Sequence, residues 1–214
     1  MSSSAEKKTG RLFVLSAPSG SGKSTLKDLI LKRLPDLVYS VSYTTRPPRP
    51  GETDGLDYNF ISPDQFQAMI RAGAFLEWAE VFGRFYGTGQ DWVEERLAKG
   101  LDVLADLDVG GAASVRRLKP EATLIFMVPP SERELRRRLV ARRTESSQET
   151  DLRLKRAAEE IASRNIYDFL LINDDLEWAA AELAGIIKEG RGLAVADMEA
   201  FWPQFFAPRD PDES

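Results

Sequence analysis

Residues 11–31 read R-L-F-V-L-S-A-P-S-G-S-G-K-S-T-L-K-D-L-I-L and set the organisation of the whole chain. The apolar run 12–15 predicts a buried strand, residues 16–22 predict a loop of small residues, and an amphipathic helix is predicted from Lys23 onward. Such a loop points successive backbone N–H groups into one concavity at a helix N-terminus, where partial positive charge collects. The stretch therefore predicts a phosphate-binding site.

Lys23 and Ser24 follow the loop as the pattern G-x-x-x-x-G-K-[ST] requires, with Ala17 in place of the first glycine. The lysine would reach the β- and γ-phosphates of a nucleotide, and the Ser24 hydroxyl would supply one ligand to Mg²⁺. A glycine-rich connection with a chance lysine is the alternative, but the flanking strand and helix favour the phosphate site. The candidate nucleotide-binding residues of this loop are Ala17, Pro18, Ser19, Gly20, Ser21, Gly22, Lys23, Ser24 and Thr25.

The composition narrows the chemistry that this protein can carry. The 214 residues include no cysteine and no histidine, so thiolate nucleophiles, imidazole bases and the usual zinc sites are excluded. The net charge of -5 argues against a general nucleic-acid binder. No run predicts a membrane span or a secretory signal, and we expect a cytoplasmic protein. The sequence leaves a homo-oligomer open.

Predicted strands and helices alternate along most of the chain, which is typical of an α/β fold with a parallel sheet. We expect the sheet and its flanking helices to be a core formed by residues 11–38, 91–130 and 155–191. Short strands and a helix in 39–90 predict a small mixed lobe inserted into that core, and 131–154 predict an arginine-rich helical segment. The remaining ends, 1–10 and 207–214, are polar and predict disordered tails.

Three carboxylates stand at positions that suggest ligand binding. Asp106 and Asp108 end a predicted strand, and strand ends of such sheets face the ligand. An acid there could hold Mg²⁺, although two turn aspartates are the plain alternative. Glu77 lies in the aromatic run F-L-E-W, where a buried carboxylate would need hydrogen-bond donors. A guanine edge offers N1–H and N2–H₂ side by side and would supply such donors. The alternative is that Glu77 points to the solvent and binds no ligand.

Clustered cations indicate an anionic ligand. Arg46 and Arg49 lie three residues apart in a proline-rich loop that could hold both guanidinium groups on one phosphate. Arg138 and Arg142 share one face of a predicted helix, with Arg153 further on, and could neutralise charge on a transferring phosphoryl group. Solvated surfaces are the alternative for both clusters. Two tyrosines, Tyr58 and Tyr86, could bind the same phosphate but fit core positions at least as well.

Motifs over nearly the whole chain resemble the guanylate kinase family, whose members pass a phosphoryl group from ATP to GMP. The resemblance implies a fold with a P-loop NTPase-type parallel sheet flanked by helices, an inserted GMP-binding lobe and a helical lid. The matching segments are S-A-P-S-G-S-G-K-S-T at 16–25, S-V-S-Y-T-T-R-P-P-R-P-G-E at 40–52, D-Y-N-F at 57–60, F-L-E-W-A-E-V-F-G at 75–83, Y-G-T at 86–88, D-L-D-x-x-G at 106–111, P-P-S at 129–131, R-L-x-x-R-x-T-E at 138–145 and I-N-D-D at 172–175.

The resemblance also assigns roles by motif position. It implies ATP as the co-substrate, with Mg²⁺ held by Ser24 and Asp106. It implies GMP as the acceptor of the phosphoryl group, and dGMP as a further acceptor. Asn173 joins the loop residues at ATP, and the implied catalytic cations are Lys23, Arg46, Arg138, Arg142 and Arg153. The implied GMP-binding residues are Ser42, Arg46, Arg49, Tyr58, Glu77, Tyr86, Thr88, Asp106 and Asp108.

Two rival functions remain at this point. One is a kinase with the same loop and another phosphorylated acceptor, which Ser42, Glu77 and Thr88 argue against. The other is an interaction module of guanylate-kinase type that has lost catalysis. The intact Lys23 and Asp106 argue against the module.

Overall fold

A computed structural model describes residues 9–81, 83–141, 147–195 and 201–206, apart from the side chains of 147–151 and Gln204. The strands are β1 Leu12–Ser16, β2 Leu37–Ser40, β3 Tyr43–Thr44, β4 Asn59–Phe60, β5 Phe75–Val81, β6 Arg84–Gly89, β7 Asp102–Asp106, β8 Thr123–Val128, β9 Phe169–Ile172 and β10 Leu193–Ala194. The helices are α1 Lys23–Arg33, α2 Pro63–Arg71, α3 Gln90–Ala98, α4 Val109–Leu118, α5 Glu132–Val140, α6 Ser147–Ala162, α7 Leu176–Glu189 and α8 Phe201–Phe206, with a 3₁₀ turn at Arg164–Ile166.

Within the described residues the strands form two sheets. The larger has the order β10-β9-β8-β1-β7-β2, and the smaller has the order β4-β3-β6-β5. Strand β2 pairs with β7 in parallel, and β8 pairs with β9 in parallel, whereas β10 joins β9 antiparallel. All five residues of β1 are buried: the apolar run predicted 12–15, and Ser16, which was expected in the loop, also belongs to the strand. A parallel-rich sheet with flanking helices confirms the expected α/β class.

The described chain divides into two units, one formed by residues 1–14 and 35–122 and the other by 15–34 and 123–214. In the first unit, α2 covers one face of the small sheet. Phe66 of α2 stacks on Phe75 and Phe85 at ring distances of 4.4 and 5.3 Å. The opposite face of that sheet is left to polar side chains. The division of the chain into core, inserted lobe and lid stays a prediction.

Helix α2 begins as the sequence predicts. The Ser62 hydroxyl accepts from the backbone of Gln65, and the Gln65 side chain accepts from the backbone of Ser62, with Pro63 in the first turn. This reciprocal cap satisfies donors that the first turn of a helix leaves unpaired. At the start of α5 the Ser131 hydroxyl likewise accepts from the backbone of Glu134. The Glu134 side chain, however, binds Arg137 and Arg138, so this cap is not reciprocal.

Helices α5 and α6 pack against each other in the second unit. Leu135 and Leu139 of α5 form a buried cluster with Leu154 and Ala157 of α6. The polar run 144–150 predicts a break and a helix only from about Asp151, whereas helix α6 begins at Ser147.

The aromatic segment near the C-terminus packs on the second unit. Phe205 is only 1 % exposed, and it lines a small cavity with Leu135 and Leu154. Trp202 is also buried, and the Arg164 guanidinium lies 4.6 Å from the centre of its ring. The sequence left open whether these aromatic residues pack on the body of the protein or on a partner, and in this structure Trp202 and Phe205 are buried within the second unit. The predicted disorder of 1–10 and 207–214 falls almost entirely outside the described residues.

Candidate active site

The loop between β1 and α1 has the shape of a phosphate-binding loop. Gly20 and Gly22 have φ angles of 92° and 89°, which L side chains rarely adopt, and Gly22 is the N-cap of α1. Helix α1 then starts directly at Lys23, and the exposed Ser24 follows in its first turn. A cavity of about 340 Å³ lies over the loop, lined by residues 17–25 together with Glu160. The structure thus gathers every loop residue that the sequence predicted into one cavity.

Asn173 holds this loop in place. Its side-chain amide donates a 2.7 Å hydrogen bond to the Ser21 carbonyl across 152 residues of chain, and Asn173 is only 5 % exposed. A Cβ atom at Gly22 would lie 2.7 Å from the same amide nitrogen. Glycine is therefore required at residue 22 by the close approach as well as by φ. The predicted contact of Asn173 with ATP stays a prediction.

Arg138 also forms hydrogen bonds that hold the loop. It donates to the Ser21 carbonyl at 3.4 Å and to the Asn173 carbonyl at 3.0 Å, while its Nε donates to Glu134 at 2.6 Å. Hydrogen bonds from Arg137 and then Arg138 lower the pKa of Glu134 to about 2. A carboxylate that stays ionised fixes the orientation of the Arg138 guanidinium.

Arg153 reaches the same loop from α6, donating to the Ser19 hydroxyl at 3.2 Å. Two of the three predicted lid arginines thus contact the phosphate loop in this unit. Arg142 lies outside the described residues. The catalytic roles of these arginines stay predictions.

A second group of predicted residues lies on the face of the small sheet that is turned away from α2. Tyr86 and Thr88 alternate along β6 and therefore point to the same face, and the register pairs them with Ala79 and Glu77 of β5. Strand β5 carries one extra residue between Phe75 and Glu77, which shifts the register. Because of this bulge, Phe75 packs against α2 while Glu77 turns to the opposite face.

Glu77 is a buried carboxylate with a defined donor. It is 8 % exposed and accepts a 2.7 Å hydrogen bond from the Thr88 hydroxyl. Burial raises the pKa of Glu77 to about 7; the hydrogen bond from Thr88 opposes this, and the negative charge of Asp108 adds to it. A carboxylate accepts at about four positions, so Glu77 can bind further donors beside Thr88. This contradicts the solvent-facing alternative that the sequence left open.

Asp108 is the N-cap of α4, where its Oδ1 accepts from the backbone N–H of Gly111 at 2.7 Å. Asp106 lies at the end of β7, as predicted, and its charge raises the pKa of Tyr58, an effect that is secondary to burial of the phenol. The two aspartates therefore have different surroundings, although they lie two residues apart.

Arg46 lies at the other end of this face. Its guanidinium is bound by Glu52 at 2.8 and 2.9 Å, and its Cζ is 5.3 Å from the centre of the Tyr58 ring. Hydrogen bonding to Arg46 lowers the pKa of Glu52 to about 2. The Tyr58 and Tyr86 rings meet edge to face, with centres 6.0 Å apart. Both tyrosines thus belong to the cluster that contains Arg46.

Arg49 and Ser42 contribute through their backbones in this structure. The Arg49 N–H donates to Glu52 at 2.7 Å, while its side chain is exposed. The Ser42 carbonyl accepts from the backbone of Asn59 at 2.8 Å. Their predicted contacts with GMP stay predictions.

Sequence reasoning missed three residues that organise these sites. Glu52 holds Arg46, Glu134 holds Arg138, and Gly111 lies against the Glu77 carboxylate. The spacing of Glu134 and Arg138, four residues apart on one helix, could have indicated that pair. Nothing local in the sequence links Gly111 to Glu77.

A glycine loop that opens a helix in one unit, and a buried carboxylate with clustered arginine and tyrosine in the other, define a kinase of small nucleotides. The guanylate kinase family model matches residues 9–190. The chain is 49% identical over 192 residues to a guanylate kinase of Shewanella frigidimarina, covering 89% of this chain and 93% of that protein. It is 50% identical over 179 residues to a guanylate kinase of Rubrobacter xylanophilus, covering 84% and 94%.

The fold agrees with these relatives. The crystal structure of guanylate kinase from Anaplasma phagocytophilum has a TM-score of 0.72 and 35% sequence identity, with 86% of this chain and 87% of that chain covered. The chain belongs to the guanylate kinase family.

Proposed function

We propose that the residues described above carry out the guanylate kinase reaction, in which the γ-phosphoryl group of ATP passes to GMP and gives ADP and GDP. The observation that carries this proposal is the buried Glu77 carboxylate, bound by Thr88 and turned away from the core by a bulge in β5. A buried acid pairs well with the adjacent N1–H and N2–H₂ of guanine. Adenine presents an acceptor at N1 and would leave the acid unmatched.

The second unit, which contains the phosphate-binding loop, binds the phosphoryl donor ATP. Backbone N–H groups at the start of α1, including those of Ser24 and Thr25, point toward the phosphates of ATP, where the helix dipole also favours anions. Lys23 supplies a mobile positive charge at the γ-phosphate. Arg138 and Arg153 keep the loop in shape and neutralise charge on the transferring group; we assign Arg142 the same role from its motif position.

The first unit, which contains the small sheet, binds the phosphoryl acceptor GMP. Glu77, Thr88 and Asp108 surround the guanine base, and Ser42 completes that end. Arg46, Arg49, Tyr58 and Tyr86 bind the phosphate of GMP, and Glu52 orients Arg46 for this purpose. The phosphate of GMP is already an anion, so the new P–O bond forms without a strong general base. The absence of histidine from the chain agrees with this chemistry.

Mg²⁺ is part of this proposal. When bound together with ATP, the ion would supply positive charge that offsets the charge of the phosphate groups. Ser24 offers an exposed hydroxyl in the first turn of α1, and Asp106 offers a carboxylate at the end of β7, which are oxygen donors of the kind that Mg²⁺ prefers. Among the described residues, no group of three or more acids could hold a metal by itself.

The proposal extends to the location, the range of acceptors and the oligomeric state of the enzyme. No helix in the described part of the chain is long and apolar enough to span a membrane. A cytoplasmic location, dGMP as a second acceptor and a homo-oligomer stay predictions.

A coupled assay of ADP release tests the proposal, with GMP, AMP, CMP and UMP as acceptors and with or without Mg²⁺. We expect turnover with GMP alone among the four, and only when Mg²⁺ is present. Equal rates with AMP would contradict the assignment of Glu77, and full activity without a divalent cation would contradict the metal.

A further inference from the structure

Gly111 lies in the first turn of α4, directly against the carboxylate of Glu77. A Cβ atom at residue 111 would lie 2.8 Å from Glu77 Oε2 and 3.2 Å from its Cδ. Contacts as short as the first are hardly ever tolerated, so any side chain at this position would force the carboxylate to move. The carboxylate is buried and held by Thr88 at 2.7 Å, so moving it would disturb that hydrogen bond.

We infer that Gly111 is a positioning residue for guanine specificity, which acts by leaving the space that the Glu77 carboxylate occupies. The inference rests on the proposed function, because it assigns Glu77 to the guanine base. Gly111 also donates its backbone N–H to Asp108 at 2.7 Å. Gly111 therefore positions both acids at the proposed guanine site. Its backbone N–H binds Asp108, and its lack of a side chain leaves room for the Glu77 carboxylate.

A structural role for Gly111 would predict a different outcome from a positioning role. Alanine stabilises helix interiors relative to glycine, and the atom that it would meet is the far end of a flexible side chain. Gly111→Ala should therefore fold as well as the parent protein. The carboxylate would yield instead, and the loss would appear in recognition of the base.

The next residue along the same helix provides a matched control. A Cβ atom at Gly110 would have Asp108 Oδ1 at 3.5 Å as its nearest neighbour, which is an ordinary contact. Gly110→Ala gains the same helix propensity without touching Glu77. A Cβ atom at residue 111 would also lie 3.3 Å from Asp108 Oδ1, close to the 3.5 Å found for residue 110. The main difference between the two alanine variants is therefore the short contact with Glu77.

The experiment compares the parent protein, Gly110→Ala, Gly111→Ala, Glu77→Asp and the double variant Glu77→Asp/Gly111→Ala. KM and kcat are measured with GMP and with IMP at saturating ATP, and the thermal midpoint is recorded for each. IMP lacks the 2-amino group and so offers the carboxylate one donor group fewer. We expect Gly111→Ala to raise KM for GMP by about 10- to 100-fold, the scale of one disturbed buried hydrogen-bonded group. Its kcat at saturating GMP and its thermal midpoint should stay near those of Gly110→Ala.

The preference for GMP over IMP should shrink in Gly111→Ala and persist in Gly110→Ala. In the Glu77→Asp background the acid is shorter by one methylene. There, adding Gly111→Ala should change KM for GMP by less than about threefold, since the two sites no longer clash.

Gly111→Ala with the kinetics of Gly110→Ala would overturn the inference, while a parent preference for GMP over AMP would leave the proposed function standing. A parent protein that does not prefer GMP over AMP would instead remove the proposed function itself. If Gly111→Ala fails to fold but the double variant folds, the clash with Glu77 is established directly. If both fail to fold, the space serves residues other than Glu77 and the inference is wrong.

Discussion

Thr88 donates its hydroxyl hydrogen to the Glu77 carboxylate at 2.7 Å, from the facing position of the neighbouring strand. The pair lies on the polar face of the small sheet, whose other face is packed against α2. A buried acid of this kind costs stability in the free protein because water can no longer solvate it. The same loss of solvation raises the pKa of Glu77.

Replacing Glu77 with glutamine should stabilise the ligand-free protein at alkaline pH. The pKa of Glu77 is about 7 in the folded protein against 4.5 in the unfolded chain, so the folded state holds the proton longer. The parent therefore loses stability as pH rises from 4.5 to 7, whereas Glu77→Gln does not. We expect the variant to gain about 2 to 3 kcal/mol relative to the parent between pH 5 and pH 8. Urea unfolding at both pH values measures this difference, and an unchanged difference would contradict the raised pKa.

Binding of the base should weaken as pH falls below 7. Guanine N–H groups need the ionised carboxylate, and about a tenth of Glu77 is ionised one unit below its pKa. Affinity at pH 6 should therefore be about tenfold lower than at pH 8, where the acid is almost fully ionised. Guanosine is the suitable probe, since it lacks the phosphate of GMP, which titrates in the same range. Calorimetric titration of Glu77→Gln provides the control and should show weak, pH-independent binding. A pH-independent affinity in the parent would argue against Glu77 as the acid that binds the base.

Glu52→Ala should weaken binding of the acceptor phosphate. Glu52 holds the Arg46 guanidinium and the Arg49 backbone in this loop, and its removal leaves both without that partner. We expect KM for GMP to rise about tenfold, as for loss of a charge-assisted hydrogen bond, with little change in the affinity for guanosine. Tighter GMP binding in the variant would show instead that Glu52 competes with the phosphate for Arg46.

Lys23→Ala should abolish turnover and leave GMP binding largely intact. Lys23 opens α1 in the phosphate-loop unit, whereas Glu77, Thr88 and Arg46 belong to the other unit. Single-turnover assays with ATP measure the first effect, and titration with GMP in the absence of ATP measures the second. An equal loss of GMP affinity would mean that the donor and acceptor residues are wrongly assigned.

Phe205→Ala should lower the stability of the second unit. Phe205 is 1 % exposed and lies beyond residue 190, where the match to the family model ends. Truncating a buried phenylalanine typically costs about 3 to 5 kcal/mol. Phe206, its neighbour, is 44 % exposed, so Phe206→Ala should have a much smaller effect and serves as the control. Equal thermal midpoints for the two variants would show that α8 contributes no packing energy.

Much of the donor site could be predicted from the sequence because its elements are local. The buried strand, the glycine loop and the helix that starts at Lys23 lie within one short stretch, and each follows from residue type and spacing. The cap of α2 is equally local, since Ser62, Pro63 and Gln65 are neighbours. A buried Glu77 was one of the two alternatives that the aromatic run F-L-E-W left open, and only the structure decides between them.

The tertiary structure decided which side chains hold those groups in place. Only the register of β5 and β6 shows that a bulge turns Glu77 to the polar face, and only the packing of α4 places Gly111 against its carboxylate. In the same way, Asn173 supports the phosphate loop from 152 residues away. Propensity and periodicity act over a few residues, whereas these contacts depend on how distant segments pack, and that is the physical reason why sequence patterns alone did not reveal them.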